Sequence, residues 1–221
     1  MSDILEIDSV IKSFDVKQIL TDIYLKCQTG DIIGILGRNG TGKSTLLKIL
    51  FGTLKAENSF IKINGKVYDR PYLTSGLLTF LPQEDFIPKQ LTLEGVSKLY
   101  LGKKANKFFT GEEMLEKVRY SKIENLSGGE LRYFEIKLLL NLSTKFVLLD
   151  EPFNGVSPLI IEKIKIMLKN CSQNIGIILT DHDYRNVIDI SNRLILLRDG
   201  GLRAIQDKTE LINWGYLPES R

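Results

Sequence analysis

The sequence predicts an α/β fold with a parallel-sheet core, an antiparallel β subdomain and a short helical subdomain. Three observations predict it. Compact apolar runs at 32–36, 146–149 and 175–179 alternate with segments of helical periodicity, the pattern of strands covered on both faces by crossover helices. Ahead of the first run, 5–14 and 19–27 alternate in polarity, as half-buried antiparallel strands do. Between 84 and 125 the chain turns rich in Lys and Glu, with Leu93, Val96 and Leu99, then Met114, Leu115 and Val118, at helical spacing.

Taken in order, Asp15, Lys17 and Gln18 supply turn material between the first two strands. The run at 32–36 is bounded by Gly30 and Gly37, and 43–51 then becomes helical through Leu46, Leu47 and Leu50. Residues 59–68 alternate around Asn64 and Gly65, both of which accept positive φ, so a hairpin extends the antiparallel sheet. Residues 130–142 and 159–168 form helices on either side of the second run. A hairpin around Asp199 and Gly200 joins strands at 193–197 and 202–205, and a short helix at 209–212 closes the pattern. The chain is expected to be one domain, 1–221, with its core in 1–83 and 126–221 and its helical subdomain in 84–125.

Of the 221 residues, 30 are Lys or Arg and 27 Asp or Glu, a formal net charge of +3, with 43% hydrophobic and 26% charged residues. That balance excludes disordered, collagen-like and disulfide-dense classes, and it carries no nucleic-acid signature, so no nucleic-acid partner is expected. Cys27, Cys171 and the single His182 have no zinc-site spacing. No apolar run approaches the roughly 20 residues that span a bilayer, and 1–8 lacks a signal-peptide pattern. A reduced, intracellular protein is the expectation.

Between the first buried run and its helix stand Gly37, Arg38, Asn39, Gly40, Thr41, Gly42, Lys43 and Ser44, which satisfy G-x-x-x-x-G-K-[ST] in the context that the motif requires. A polyphosphate is dense negative charge, and glycines let successive backbone N–H groups curl around it, helped by the positive end of the following helix. Lys43 would reach the β- and γ-phosphates, and the Ser44 hydroxyl would ligate Mg²⁺. The second element is an apolar strand ending in Asp150 and Glu151. In P-loop enzymes such an acid holds Mg²⁺, which falls to Asp150. Strand alternation sends Glu151 to the other face, free to polarise an attacking water.

Leu126, Ser127, Gly128, Gly129 and Glu130 precede this strand by one helix. With the phosphate loop they make the chain resemble the ATP-binding cassette (ABC) ATPases, in motif order over nearly its whole length. The resemblance implies a P-loop NTPase core of RecA-like type, with ATP and Mg²⁺ as cofactors. It implies that Ser127, Gly128, Gly129 and Glu130 complete the ATP site of an opposite subunit, and that Thr45 lies beside the phosphates. It also assigns Phe14 to adenine stacking, Gln83 to Mg²⁺ and the attacking water, and His182 to the γ-phosphate. Where the family usually has an Asp that contacts the partner subunit, this chain has Ser157, which bears on coupling between two sites.

The resulting expectation is a cytoplasmic ATPase subunit, peripheral on the inner face of the cell membrane. It would close as a homodimer or cassette heterodimer on ATP and drive separate transmembrane permease subunits. Phe86, Leu91 and Leu93 are candidates to line the groove for such a chain. The order from Phe153 to Pro158 and the Asp181-His182 pair resemble most the cassettes of lipopolysaccharide or branched-chain amino-acid transport. The alternative is a soluble ABC ATPase that remodels a cytosolic partner, for example in iron–sulfur assembly.

Overall fold

The computed structural model describes residues 2–218, so the outermost residues of the expected 1–221 domain lie outside the described ones. In chain order the strands and helices are β1 (Ile4–Phe14), β2 (Lys17–Gln28), β3 (Ile32–Leu36), α1 (Lys43–Phe51), β4 (Asn58–Ile63), β5 (Lys66–Val67), β6 (Leu78–Leu81), α2 (Leu93–Leu101), α3 (Ala105–Phe109), α4 (Glu113–Lys117), α5 (Gly128–Asn141), β7 (Phe146–Asp150), α6 (Pro158–Ser172), β8 (Gly176–Thr180), α7 (Tyr184–Ile190), β9 (Arg193–Arg198), β10 (Gly201–Ile205) and α8 (Lys208–Asn213). A four-stranded antiparallel sheet runs β2-β1-β4-β5, and a six-stranded sheet runs β10-β9-β3-β8-β7-β6. All neighbours in the larger sheet are parallel except the β9–β10 hairpin.

The apolar runs are continuous because the larger sheet is covered on both sides. Ile33, Ile35, Phe146, Leu148 and Ile178 face α1 and the antiparallel sheet, while Ile32, Leu36, Val147, Leu149, Ile177 and Leu179 face α5, α6 and α7. Two glycines allow the layers to approach. A Cβ on Gly176 would stand 2.6 Å from the Phe146 ring and 2.9 Å from Cys27 Sγ, and one on Gly34 would meet Val187 of α7 at 2.5 Å. Both expected hairpins have positive φ at their central pairs, 52° and 79° at Asn64 and Gly65, 50° and 77° at Asp199 and Gly200, as type I′ turns require.

Three features depart from the sequence expectation. The strand β6 and the helix α7 were not anticipated. β6 is only four residues, but pairing with β7 makes it an edge strand that leads directly to Gln83. In α2, Leu93 and Val96 are buried whereas Leu99 is 73% exposed, because two steps of three residues carry the side chain around to the solvent side. Leu93 belongs to the core and so does not line a groove; Leu91 is partly exposed and Phe86 packs against the core.

Candidate active site

The phosphate loop follows β3 and opens α1, and its shape is set by steric need. Gly42 sits at φ 105°, where a Cβ would also strike Ile19 at 2.5 Å, and Gly37 has room for no side chain because the Leu197 carbonyl would lie 2.7 Å away. Lys43 is buried and its Nζ donates to the carbonyls of Gly37 at 2.8 Å and Arg38 at 3.2 Å. Burial pulls its pKa below the usual lysine range, against the opposing pull of Glu151, Asp150 and Asp181. The ammonium is thus poised over the loop with ligands it can exchange.

Asp150, the last residue of β7, is fully buried and accepts from the Ser44 hydroxyl through Oδ1 at 2.9 Å. Its other oxygen, Oδ2, is buried without a hydrogen-bond partner. Burial raises the Asp150 pKa, and Glu151 adds to it. A carboxylate oxygen left orphaned beside a hydroxyl is a hard-oxygen pair of the kind that divalent cations prefer. Among the described residues no group of three His, Cys, Asp or Glu side chains could hold a metal alone. The Ser44 hydroxyl and the orphaned Asp150 oxygen suit Mg²⁺, which is commonly held by one or two protein oxygens together with substrate phosphates and water.

Glu151 lies just beyond β7, and what directs it is a left-handed backbone, φ 53°, rather than strand alternation. Its N–H donates to the Thr180 carbonyl at 2.8 Å. The side chain, 4% exposed for the residue as a whole, meets His182 Nε2 at 2.6 Å through Oε1, while Oε2 accepts from Gln83 Nε2 at 3.0 Å and Asn154 Nδ2 at 3.1 Å. A non-glycine residue in this region is strained by about 1–3 kcal/mol, and such strain persists where surrounding bonds fix it.

One cavity of about 450 Å³ is lined by Phe14, Asn39, Gly40, Gly42, Lys43, Ser44, Thr45, Gln83, Glu151 and His182. Phe14, at the end of β1, is 47% exposed and stands beside Lys12, whose Nζ is 5.0 Å from its ring centre; it is no buried core aromatic. Gly37, Arg38 and Thr41 do not line this cavity. Arg38 and Thr41 instead border a second hollow formed with Trp214, Gly215 and Tyr216. There Arg38 donates to the Gly215 carbonyl at 3.0 Å, Tyr216 meets the Gly37 backbone, and the Tyr184 and Tyr216 rings pack edge to face at 6.1 Å. The segment 214–217 is thereby strapped to the outer side of the phosphate loop, a contact unmarked by any sequence motif.

Ser127, Gly128, Gly129 and Glu130 are absent from the lining of the phosphate cavity. They form the start of α5, where Ser127 Oγ accepts from Glu130 N–H at 3.3 Å and Glu130 Oε2 accepts from Ser127 N–H at 2.9 Å, a closed capping box. Two further residues organise the site. Asp181 accepts from Phe153 N–H at 2.8 Å and Asp183 N–H at 3.1 Å, tying the turn after Glu151 to the His182 loop. Asn154 braces the Glu151 carboxylate. Neither carries a spacing signal, because their partners come from folded turns.

A parallel-sheet core with a phosphate loop, a terminal strand acid and a second acid in a strained turn defines a P-loop nucleotide-binding protein. More narrowly, the family model for ABC transporters matches residues 20–154, more than half of the chain, and the chain belongs to that family of ATP-binding cassettes. It is 28% identical to the lipopolysaccharide export system ATP-binding protein LptB of Acidithiobacillus ferridurans over 96% of this chain and 94% of that one. It is 31% identical to an uncharacterised ABC transporter ATP-binding protein of Rhizobium meliloti, covering 86% and 75%. Among solved structures it resembles the ATP-binding subunit of an ABC transporter, with TM-score 0.79, 21% identity and coverage of 98% and 95%. It also resembles an ATP-binding cassette solved as a dimer in a post-hydrolysis state with ADP and Pi, with TM-score 0.79, 23% identity and coverage of 91% and 97%.

Proposed function

We propose that this chain is the ATP-binding and ATP-hydrolysing subunit of an ABC transporter, closing as a dimer on ATP and driving separate membrane-spanning chains. The observation that carries the hydrolytic reading is the Glu151 carboxylate, held in a strained turn by Gln83, Asn154 and His182 at the mouth of the phosphate cavity. In this reading Phe14 stacks on adenine, and Asn39, Gly40, Gly42 and Thr45 surround the phosphates. Lys43 exchanges its two loop carbonyls for phosphate oxygens. Ser44, Asp150 and Gln83 would hold Mg²⁺, which when bound neutralises charge on the β- and γ-phosphates. Glu151 orients the attacking water and accepts its proton, and His182, adjacent to it, donates to the transferred phosphoryl group.

Ser127, Gly128, Gly129 and Glu130 act on a partner copy. That they do not line their own phosphate cavity agrees with that role, and two-fold closure would build both sites at once. No helix among the described residues is long and apolar enough to cross a membrane; in this reading the subunit works on separate membrane-spanning chains from the inner face of the membrane. The names of the LptB relatives favour export of a lipopolysaccharide-like substrate class over other cargo.

The deciding experiment is Glu151→Gln with Mg-ATP. Turnover should fall at least about a hundredfold, in the range of a removed general base, and a dimer should accumulate on size exclusion. Unchanged turnover with monomer only would reject the assignment. Co-purification of the tagged chain with soluble proteins alone, from mild-detergent extracts, would favour a soluble ATPase instead.

A further inference from the structure

Among the buried residues of helix α5 are Arg132, at 5% exposure, and Glu135, at 0%, joined at 3.3 Å. Burying such a pair costs desolvation that apolar residues of similar size would avoid. The use of the charges is seen in where they point. Arg132 Nη1 donates to the Pro82 carbonyl at 2.9 Å, and Nη2 donates to the Gln83 carbonyl at 2.7 Å and reaches the Glu151 carbonyl at 3.5 Å. Glu135 Oε1 accepts from Phe86 N–H at 3.2 Å. The pair therefore grips the loop 82–86 at three backbone points and touches the residue whose carboxylate the Gln83 side chain binds.

We propose that Arg132 and Glu135 are positioning residues that fix the glutamine loop relative to Glu151, setting the rate of the hydrolytic step rather than nucleotide affinity. The inference rests on Glu151 acting on water. A planar guanidinium presents parallel N–H donors that match two successive carbonyls, whereas a lysine ammonium is a point charge. Arg132 holds Glu151 from its carbonyl side while the Thr180 carbonyl holds it from its N–H side, so the left-handed turn is clamped at both ends. Neither Arg132 nor Glu135 borders the phosphate cavity. A displacement of Gln83 by about 1 Å would leave the phosphate loop intact and cost up to about a hundredfold in rate.

The test uses the full chain and four proteins: wild type, Arg132→Lys, Glu135→Gln and the double variant. Thermal stability, affinity for a fluorescent ATP analogue, and kcat and KM for Mg-ATP are measured on each. Arg132→Lys should lower kcat about tenfold to a hundredfold, with analogue affinity and KM within about twofold of wild type. Glu135→Gln keeps an acceptor for Phe86 N–H and should lose less. The double variant should fall no further than Arg132→Lys, since both act through one loop. Wild-type kcat in the two single variants, or losses that add in the double variant, would overturn the proposal, as would a fall in affinity equal to the fall in kcat. Should Arg132→Lys not fold, Glu135→Gln decides by the same split between kcat and affinity. A wild-type chain that binds but does not hydrolyse ATP would instead count against Glu151 acting on water.

Discussion

Replacing Asp181 by alanine removes both acceptors that join the turn after Glu151 to the His182 loop. Phe153 N–H, which is buried, and Asp183 N–H, which is partly so, lose partners at 2.8 and 3.1 Å. An orphaned buried donor costs about 1–3 kcal/mol, with the partly solvated one at the low end, giving a gross loss of about 2–4 kcal/mol. The carboxylate is itself penalised, since burial raises its pKa, so the net loss lies toward the low end of that range. The net expectation is about 2 kcal/mol, which for a chain of this size lowers Tm by about 4–8 °C. Asparagine keeps one acceptor but turns an amide N–H₂ toward the other donor, so Asp181→Asn should fall between wild type and alanine. Differential scanning calorimetry at neutral pH measures all three. A shift below about 1 °C for Asp181→Ala would refute the argument that this side chain anchors the turn.

Lys43→Ala should reduce affinity for a fluorescent ATP analogue by about tenfold or more, the worth of a charged hydrogen bond, with Tm little changed; titration of both proteins decides it. Ser157 is the N-cap of α6 but makes no side-chain cap bond, and the first turn carries no acid. Ser157→Asp should therefore raise stability by about 0.5–1 kcal/mol, read as a higher Tm; ATPase rate against ATP concentration, with the partner bound, should also steepen if the restored carboxylate reaches across a dimer. Glu135 is pushed up to about 7 by burial, with Asp85 adding to the shift and Arg132 and Phe86 N–H opposing it. A carboxyl raised in the folded state binds a proton that the unfolded chain has released, so this group's contribution to stability is lost as pH rises from about 4.5 to about 7. Tm measured across that window should fall more steeply for wild type than for Glu135→Gln.

The parts of this molecule governed by local chemistry were readable in the sequence. Asn64 with Gly65 and Asp199 with Gly200 specify their turns by conformational freedom, and the glycines before Lys43 specify a loop that side chains would block. Strands β3, β7 and β8 were visible as uninterrupted apolar runs. What remained hidden depends on remote partners. β6 is a strand because β7 lies beside it. α7 has only seven residues, and it is fixed by its Asp183 cap and by close packing on Gly34. Leu99 matched a spacing of three yet points to solvent, since a threefold step drifts off a 3.6-residue face. In the site, Phe14, Lys43, Ser44, Gln83, Glu151 and His182 line one cavity. The bracing roles of Asp181, Asn154 and Arg132 were not legible, because their hydrogen bonds are to folded turns and loop carbonyls, for which no residue pattern is required.

The strap over the phosphate loop has a consequence for how the molecule can be watched. Trp214 is the only tryptophan in the chain. Its ring centre is 4.1 Å from the Arg203 guanidinium and 6.0 Å from that of Arg198, and the carbonyl of its neighbour Gly215 is held by Arg38 of the phosphate loop. Every photon emitted by an indole in this protein thus comes from one point, beside two cationic groups that polarise the excited ring and one residue away from the loop. Intrinsic emission wavelength and quenching by iodide follow the seating of this segment with no dye attached and no second fluorophore of its kind to subtract.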